Sequence, residues 1–358
     1  MSASRRTLLK LPLAAAALPA AAAPTIDEYA PSNIKLCRRL PAELSDDELL
    51  FLKQIGLQWV RVNFPPAKSS FADMERSVQR YGAYGMKIHS GVHYGYRELD
   101  VQLGRPGRDR YIESYNQFLR DCGKLEIPVA SYDFHPGNTY TTAVIEAPRG
   151  YETRQFKLDD FRNKVETRMH DRDYPVEEIW ANYEYFMKAT LPVAKEAGVR
   201  MSLHPDDPPL AVMNGVGKMF VHYDGYARAE RIAEAIEGKG APHWGLTFCV
   251  GTWSEGGDKM GKDVFEMIED FGKRGKLCEI HFRAVSAPLP EFYETFPEEG
   301  YLDLYQVMKA LRKVKFSGAV MPDHVPALAG DEGIRRAGTA YCIAMMRAML
   351  RRANEEVG

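Results

Sequence analysis

LCEIHFR, residues 277–283, decides how this chain folds. Side chains along a β-strand alternate between faces, so Glu279, His281 and Arg283 share one side while Cys278, Ile280 and Phe282 share the other. The polar set faces a site and the apolar set faces packing. Three further runs share the same plan. In VRMSLHPDD (199–207), Ser202 and His204 oppose Met201 and Leu203; in HWGLTFC (243–249), Thr247 and Cys249 oppose Leu246 and Phe248; GAVMPDH (318–324) ends in Asp323 and His324. Each run ends in a residue able to bind a divalent ion, and the C-terminal ends of parallel strands bring such distant positions together.

Outward from these runs the pattern repeats. Strand-like segments are expected near 34–37, 60–64, 87–92, 127–134, 199–204, 244–249, 277–282 and 319–323, with amphipathic helical stretches between them and after the last. Eight such alternations read as an α/β fold, a (β/α)8 TIM barrel. The stretch 135–175 breaks the rhythm. It is polar, aromatic and far longer than the roughly 2–6 residues of an ordinary βα loop, which predicts a lid inserted after strand four. Residues 24–358 therefore form one catalytic domain.

Composition bounds the function. With 45% hydrophobic residues and a net charge of −2, the 358-residue chain can bury a large core but carries no field for nucleic acid. No apolar run beyond the extreme N-terminus reaches the roughly 20 residues of a membrane span. A small-molecule substrate is the expected partner, and a homo-oligomer is compatible with the composition. Residues 1–23 read as a leader: Ser4, Arg5, Arg6, Thr7, Leu8, Leu9 and Lys10 make a twin-arginine pattern before an Ala/Leu-rich stretch and small residues at 21–23. The expectation is periplasmic, with export of a folded protein already loaded with a metal such as manganese. Five cysteines in a chain of this size make no disulfide framework; Cys37, Cys122 and Cys342 read as buried thiols.

His204, Cys249, His281 and Asp323 are the candidate metal ligands. Two imidazoles, a thiolate and a carboxylate suit zinc, iron or manganese, and spacing alone does not choose among them. His89 and His93 share a face across Gly91 and are candidates for substrate contact, as are Asp133 and His135 at the end of strand four. Arg283 faces inward, suited to a substrate carboxylate or to a salt bridge with a barrel carboxylate. His324 is the candidate for proton exchange with carbon or a leaving hydroxyl. Asp206 and Asp207 either orient the ligands or cap the next helix.

The runs LHPDDPP (203–209), GLTFCVGTW (245–253), EIHFR (279–283) and MPDH (321–324), together with YDFHPG (132–137) and the stretch from Trp180 through PVAKEAGV, resemble the D-mannonate dehydratase family. Its members are xylose-isomerase-like TIM barrels. The resemblance implies a manganese-type ion on His204, Cys249, His281 and Asp323, and removal of water from D-mannonate to give 2-keto-3-deoxy-D-gluconate. It further implies that the metal and Arg283 hold the carboxylate and an adjacent hydroxyl, stabilising an enediolate, while His324 transfers a proton. The segment after MPDH, VPALAGDEGIRRAG, is shorter than in familiar members and lacks their tyrosine, and Ala284 replaces the Asn that often comes after HFR. An isomerase or epimerase on the same scaffold, or a periplasmic sugar-acid binding protein, are the competing expectations.

Overall fold

Eight short strands, each too apolar on one face to stand in water, close on one another. They are β1 (Lys35–Pro41), β2 (Trp59–Phe64), β3 (Lys87–His93), β4 (Val129–Tyr132), β5 (Arg200–Leu203), β6 (Trp244–Cys249), β7 (Leu277–His281) and β8 (Ala319–Met321). All neighbouring pairs are parallel and β8 returns to β1, making a closed barrel. This computed structural model describes residues 27–357, so the expected leader at 1–23 lies outside the described residues.

The outer ring is set by local chemistry. Helices α1 (Asp46–Gln54) and α6 (Val264–Lys273) open on capping boxes, Ser45 with Glu48 and Asp263 with Glu266, which satisfy backbone donors that a helix start leaves unpaired. The ring is completed by α2 (Phe71–Ala83), α3 (Arg108–Lys124), α4 (Val176–Ala197), α5 (Tyr223–Glu237), α7 (Leu304–Lys313) and α8 (Arg336–Val357). Helix α7 shows the packing rule: Leu304, Val307, Met308 and Leu311 recur at helical spacing and all are buried. Each such side chain contributes roughly 1.5–3 kcal/mol by leaving water.

The barrel interior is polar at mid-height. Glu279 accepts from Ser90 Oγ at 2.6 Å and from Thr247 Oγ1 at 3.0 Å, and Thr247 also meets Ser131 at 2.9 Å and Ser202 at 2.7 Å. Arg61 stands 3.7 Å from the same carboxylate. Burial would raise the Glu279 carboxyl, but Arg61 and its histidine neighbours outweigh it and hold the group at about 2. These hydroxyls supply the hydrogen bonds that a buried carboxylate requires, so the floor beneath the strand ends is rigid and charged.

The long insertion after β4 does not stand alone. Its strands Ala143–Glu146 and Glu152–Lys157 form a hairpin, and the second of them pairs antiparallel with Glu291–Thr295, in the loop after β7. Ala284–Val285 completes a four-stranded sheet. Phe156 lies opposite Phe292, and with Phe161, Met213 and Val285 they bury a small separate core. Two insertions thus fasten each other over the C-terminal mouth. Among the described residues no helix is long and apolar enough to cross a membrane.

Candidate functional site

Four strand ends converge at the C-terminal mouth. His204 comes directly after β5, Cys249 ends β6, His281 ends β7, and Asp323 stands two residues past β8. One donor atom from each lies within 4.8 Å of all the others. Donors on one ion with bonds of about 2.0–2.3 Å lie at most about 4.6 Å apart, so the cluster needs to contract by only a few tenths of an ångström to hold a single divalent cation. The donor set of two imidazoles, a thiol and a carboxylate, nearly all buried, fits as well.

Neighbours hold each donor in place. His204 Nδ1 donates to the Pro205 carbonyl at 2.8 Å, which turns Nε2 toward the cluster, 3.1 Å from His281 Nδ1. His281 Nδ1 is 3.4 Å from Asp323 Oδ2, and the Arg61 guanidinium abuts its other ring nitrogen. Burial lowers both histidines, which favours the neutral imidazole that gives a lone pair. Cys249 caps the short helix Val250–Gly256, its Sγ accepting from Thr252 N at 3.4 Å. Burial pushes its thiol up to about 12 despite the nearby Arg283. Asp323 is held well below the usual carboxylate range, because His281, His324 and Arg39 outweigh the effect of burial.

Arg283 corrects one expectation. It is 3% exposed and does not line the cavity; its guanidinium pairs with Asp207 at 2.6 Å, Glu255 at 2.8 Å and Glu294 at 2.8 Å. Its two terminal nitrogens are directed to those carboxylates and to Thr252 Oγ1 at 3.0 Å, and Nε, though without a partner, is buried away from the cavity, so the guanidinium does not reach a substrate. Asp207 therefore orients Arg283, while Asp206 accepts from the backbone of Met219 and Phe220 and caps that turn.

His89 and His93 also fall outside the site. Val60 pairs with Ile88 but Arg61 pairs with Ser90, so His89 is an extra bulged residue and the alternation that linked the two histidines is broken. His89 lines a different cavity, at the N-terminal end of the barrel. His93 is 1% exposed, accepts from Gly95 N at 3.1 Å, and stacks on Phe118 at 5.3 Å, a packing role.

Beside the four donors lies a cavity of about 220 Å³. Asp133, His135 and His324 line it, as the strand-end positions suggested. Asp133 pairs with Arg97 and stands 3.1 Å from His135 Nε2, which also meets the Tyr140 hydroxyl. His324 Nδ1 donates to Glu294 Oε1 at 2.5 Å, leaving Nε2 toward Asp323 Oδ2 at 3.5 Å. Burial would raise Glu294, but His324, Arg283 and Arg154 hold it at about 2. Arg39, Arg61, Arg97, Tyr140 and Arg154 also line the cavity and are missed in the sequence. Parity along WVRVNF could have found Arg61; nothing local marks Arg154, which arrives through the cap sheet.

The profile of the D-mannonate dehydratase family (UxuA) matches residues 139–355. The chain belongs to that family. It is 30% identical over 262 residues to the mannonate dehydratase of Streptococcus pneumoniae, spanning 65% of this chain and 68% of that one. With mannonate dehydratase 2 of Halalkalibacterium halodurans it shares 28% over 293 residues, covering 74% and 81%. The crystal structure of the mannonate dehydratase from Streptococcus suis serotype 2 superposes with a TM-score of 0.76 at 26% identity, over 90% of this chain and 96% of that one. An L-ribulose 3-epimerase structure shares the fold, with a TM-score of 0.56 at 13% identity. This D-mannonate dehydratase family member is an enzyme of the hydro-lyase type.

Proposed function

We propose that the enzyme removes water from D-mannonate, or a closely related sugar acid, to give 2-keto-3-deoxy-D-gluconate, with one divalent ion, Mn2+ for choice, held by His204, Cys249, His281 and Asp323. The observation that carries this reading is the convergence of those four donors beside a cavity lined by arginines. When bound, the ion supplies positive charge next to the reacting carbons and lowers the cost of removing the C2 proton.

The rest falls to side chains of the chain itself. Arg39 and Arg154 line the cavity and take the carboxylate role that Arg283 is too buried to perform. His324 exchanges its proton at Nε2, because Nδ1 is tied to Glu294. The C2 proton and the C3 hydroxyl leave together as water, and the enol left behind returns to the keto acid. His135 and Tyr140 place polar groups against the sugar hydroxyls, and the cap sheet brings Arg154 to the cavity wall. The leader pattern supports export by the twin-arginine route and work in the periplasm.

The test is to incubate the purified, Mn2+-loaded enzyme with D-mannonate and a panel of aldonic and uronic acids while assaying keto acid. Keto acid from mannonate supports the full reading. Keto acid from another acid alone moves the substrate, an epimerised sugar acid without loss of water would make the enzyme an epimerase, and tight binding without product would make it a binding protein.

A further inference from the structure

A second cavity, of about 430 Å³, opens at the N-terminal end of the barrel, away from the cluster of ligands. Its wall is built from strand starts and from turns that enter strands, at Lys35, Trp59, Val129, Arg200 and Leu277, with Lys315 in the turn before β8. Lys35, Arg200 and Lys315 are cationic, and no acidic side chain lines it among the described residues. Lys35 and Arg200 give hydrogen bonds only to carbonyls, Lys35 Nζ to Pro31 at 3.0 Å and Arg200 Nη2 to Gly275 at 2.8 Å, so their charge is not neutralised there. Two buried polar atoms in this wall, His89 Nδ1 and Arg200 Nε, have no hydrogen-bond partner, although His89 is only 6% exposed. Buried donors and acceptors rarely stay unpaired without a reason.

Trp59 supplies a flat apolar wall, with Lys35 Nζ 5.4 Å and Lys87 Nζ 5.9 Å from its ring centre. Lys315 reaches the rim from a left-handed backbone position, φ 57°, which glycine occupies at the corresponding turns of Gly56, Gly85 and Gly275 and Glu126 occupies at the turn before β4. A side chain there costs conformational energy that glycine avoids.

We propose that this cavity binds a small organic anion, its phosphate or carboxylate groups on Lys35, Arg200 and Lys315 and its carbon body against Trp59. The site is independent of the dehydratase reading, since it shares no residue with the cluster or its cavity. The probes are glucose 6-phosphate and succinate, titrated into the full chain at ionic strength held constant with KCl, with tryptophan fluorescence and calorimetry read in parallel. Saturable binding by either is expected, weakened at least about tenfold in Lys315→Gly and in Arg200→Gln, as the loss of a charge-assisted contact requires. In Trp59→Phe the heat remains while the fluorescence change is lost. The melting temperature of Lys315→Gly should equal or exceed that of the parent, which separates ligand binding from a structural role for the lysine. Response to glucose 6-phosphate alone assigns a phosphate monoester, and response to succinate alone a dicarboxylate. No saturation with either, the same response to KCl alone, or equal affinity in parent and both charge variants overturns the proposal.

Discussion

Replacing Arg283 by methionine tests the architecture of the site most sharply. The guanidinium lies between Asp207, Glu255 and Glu294, each within 2.8 Å, and all four groups are buried. Breaking a buried ion pair by removing one partner costs about 3–5 kcal/mol, because the remaining charge is left in a poorly polarisable interior. Glu255 tempers the loss, since burial already raises its carboxyl well above the usual range and lets it hold a proton beside Asp207. A chain of this size has an unfolding entropy of about 0.7 kcal/mol/K, so the melting temperature should fall by about 4–7 °C. Calorimetric melts at pH 7 give the number, and keto-acid kinetics on the surviving folded enzyme give the second readout. Arg283→Lys, which keeps a charge but not the planar fork, should fall between parent and methionine variant. A melting temperature within about 1 °C of the parent, with KM for the sugar acid raised about tenfold, would refute this account and return Arg283 to the substrate.

Other perturbations test other parts. His324→Ala should lower kcat by about 10²–10⁴-fold, and Glu294→Gln by less, with metal content unchanged in both by elemental analysis; an unaltered rate for His324→Ala removes its proton-transfer role. Arg154→Ala should raise KM by about tenfold with a smaller change in kcat, measured from initial rates; a change in kcat alone would place Arg154 elsewhere in the reaction. Lys218, buried beside Asp206, is pushed down by burial to about 8, so between about pH 8 and 10.5 the unfolded chain holds a proton that the folded one has released. Stability therefore rises with pH through that window, and urea midpoints at pH 7.5 and 9.5 should show a rise in the parent that Lys218→Met lacks; parallel curves would contradict the assignment.

The barrel and its four convergent donors were legible because both arise from periodicity. Strand parity put Glu279, His281 and Arg283 on the inner side, and the inward direction holds for all three. Parity says nothing about what an inward residue meets. Arg283 meets three carboxylates, two of them from Glu255 and Glu294, which lie in a helix and a cap strand with no marking in the sequence. His89 failed for the opposite reason: a single bulged residue, visible only in the pairing of β2 with β3, resets the alternation. The insertion was visible as polar and long, but its pairing with Glu291–Thr295 joins segments more than 130 residues apart, and no local pattern carries that. Arg154 and Glu294 enter the site through this pairing, which is why the environment of His324 could be read only in three dimensions.

The central claim is that one cation is shared by His204, Cys249, His281 and Asp323, and elemental analysis of the purified enzyme beside its Cys249→Ala variant tests it most directly. About one equivalent of a divalent metal per chain in the parent, a marked loss in the variant, and keto-acid formation that disappears with chelation and returns with Mn2+ are the expected results. Equal metal content in both proteins, or full turnover after exhaustive chelation, would contradict it.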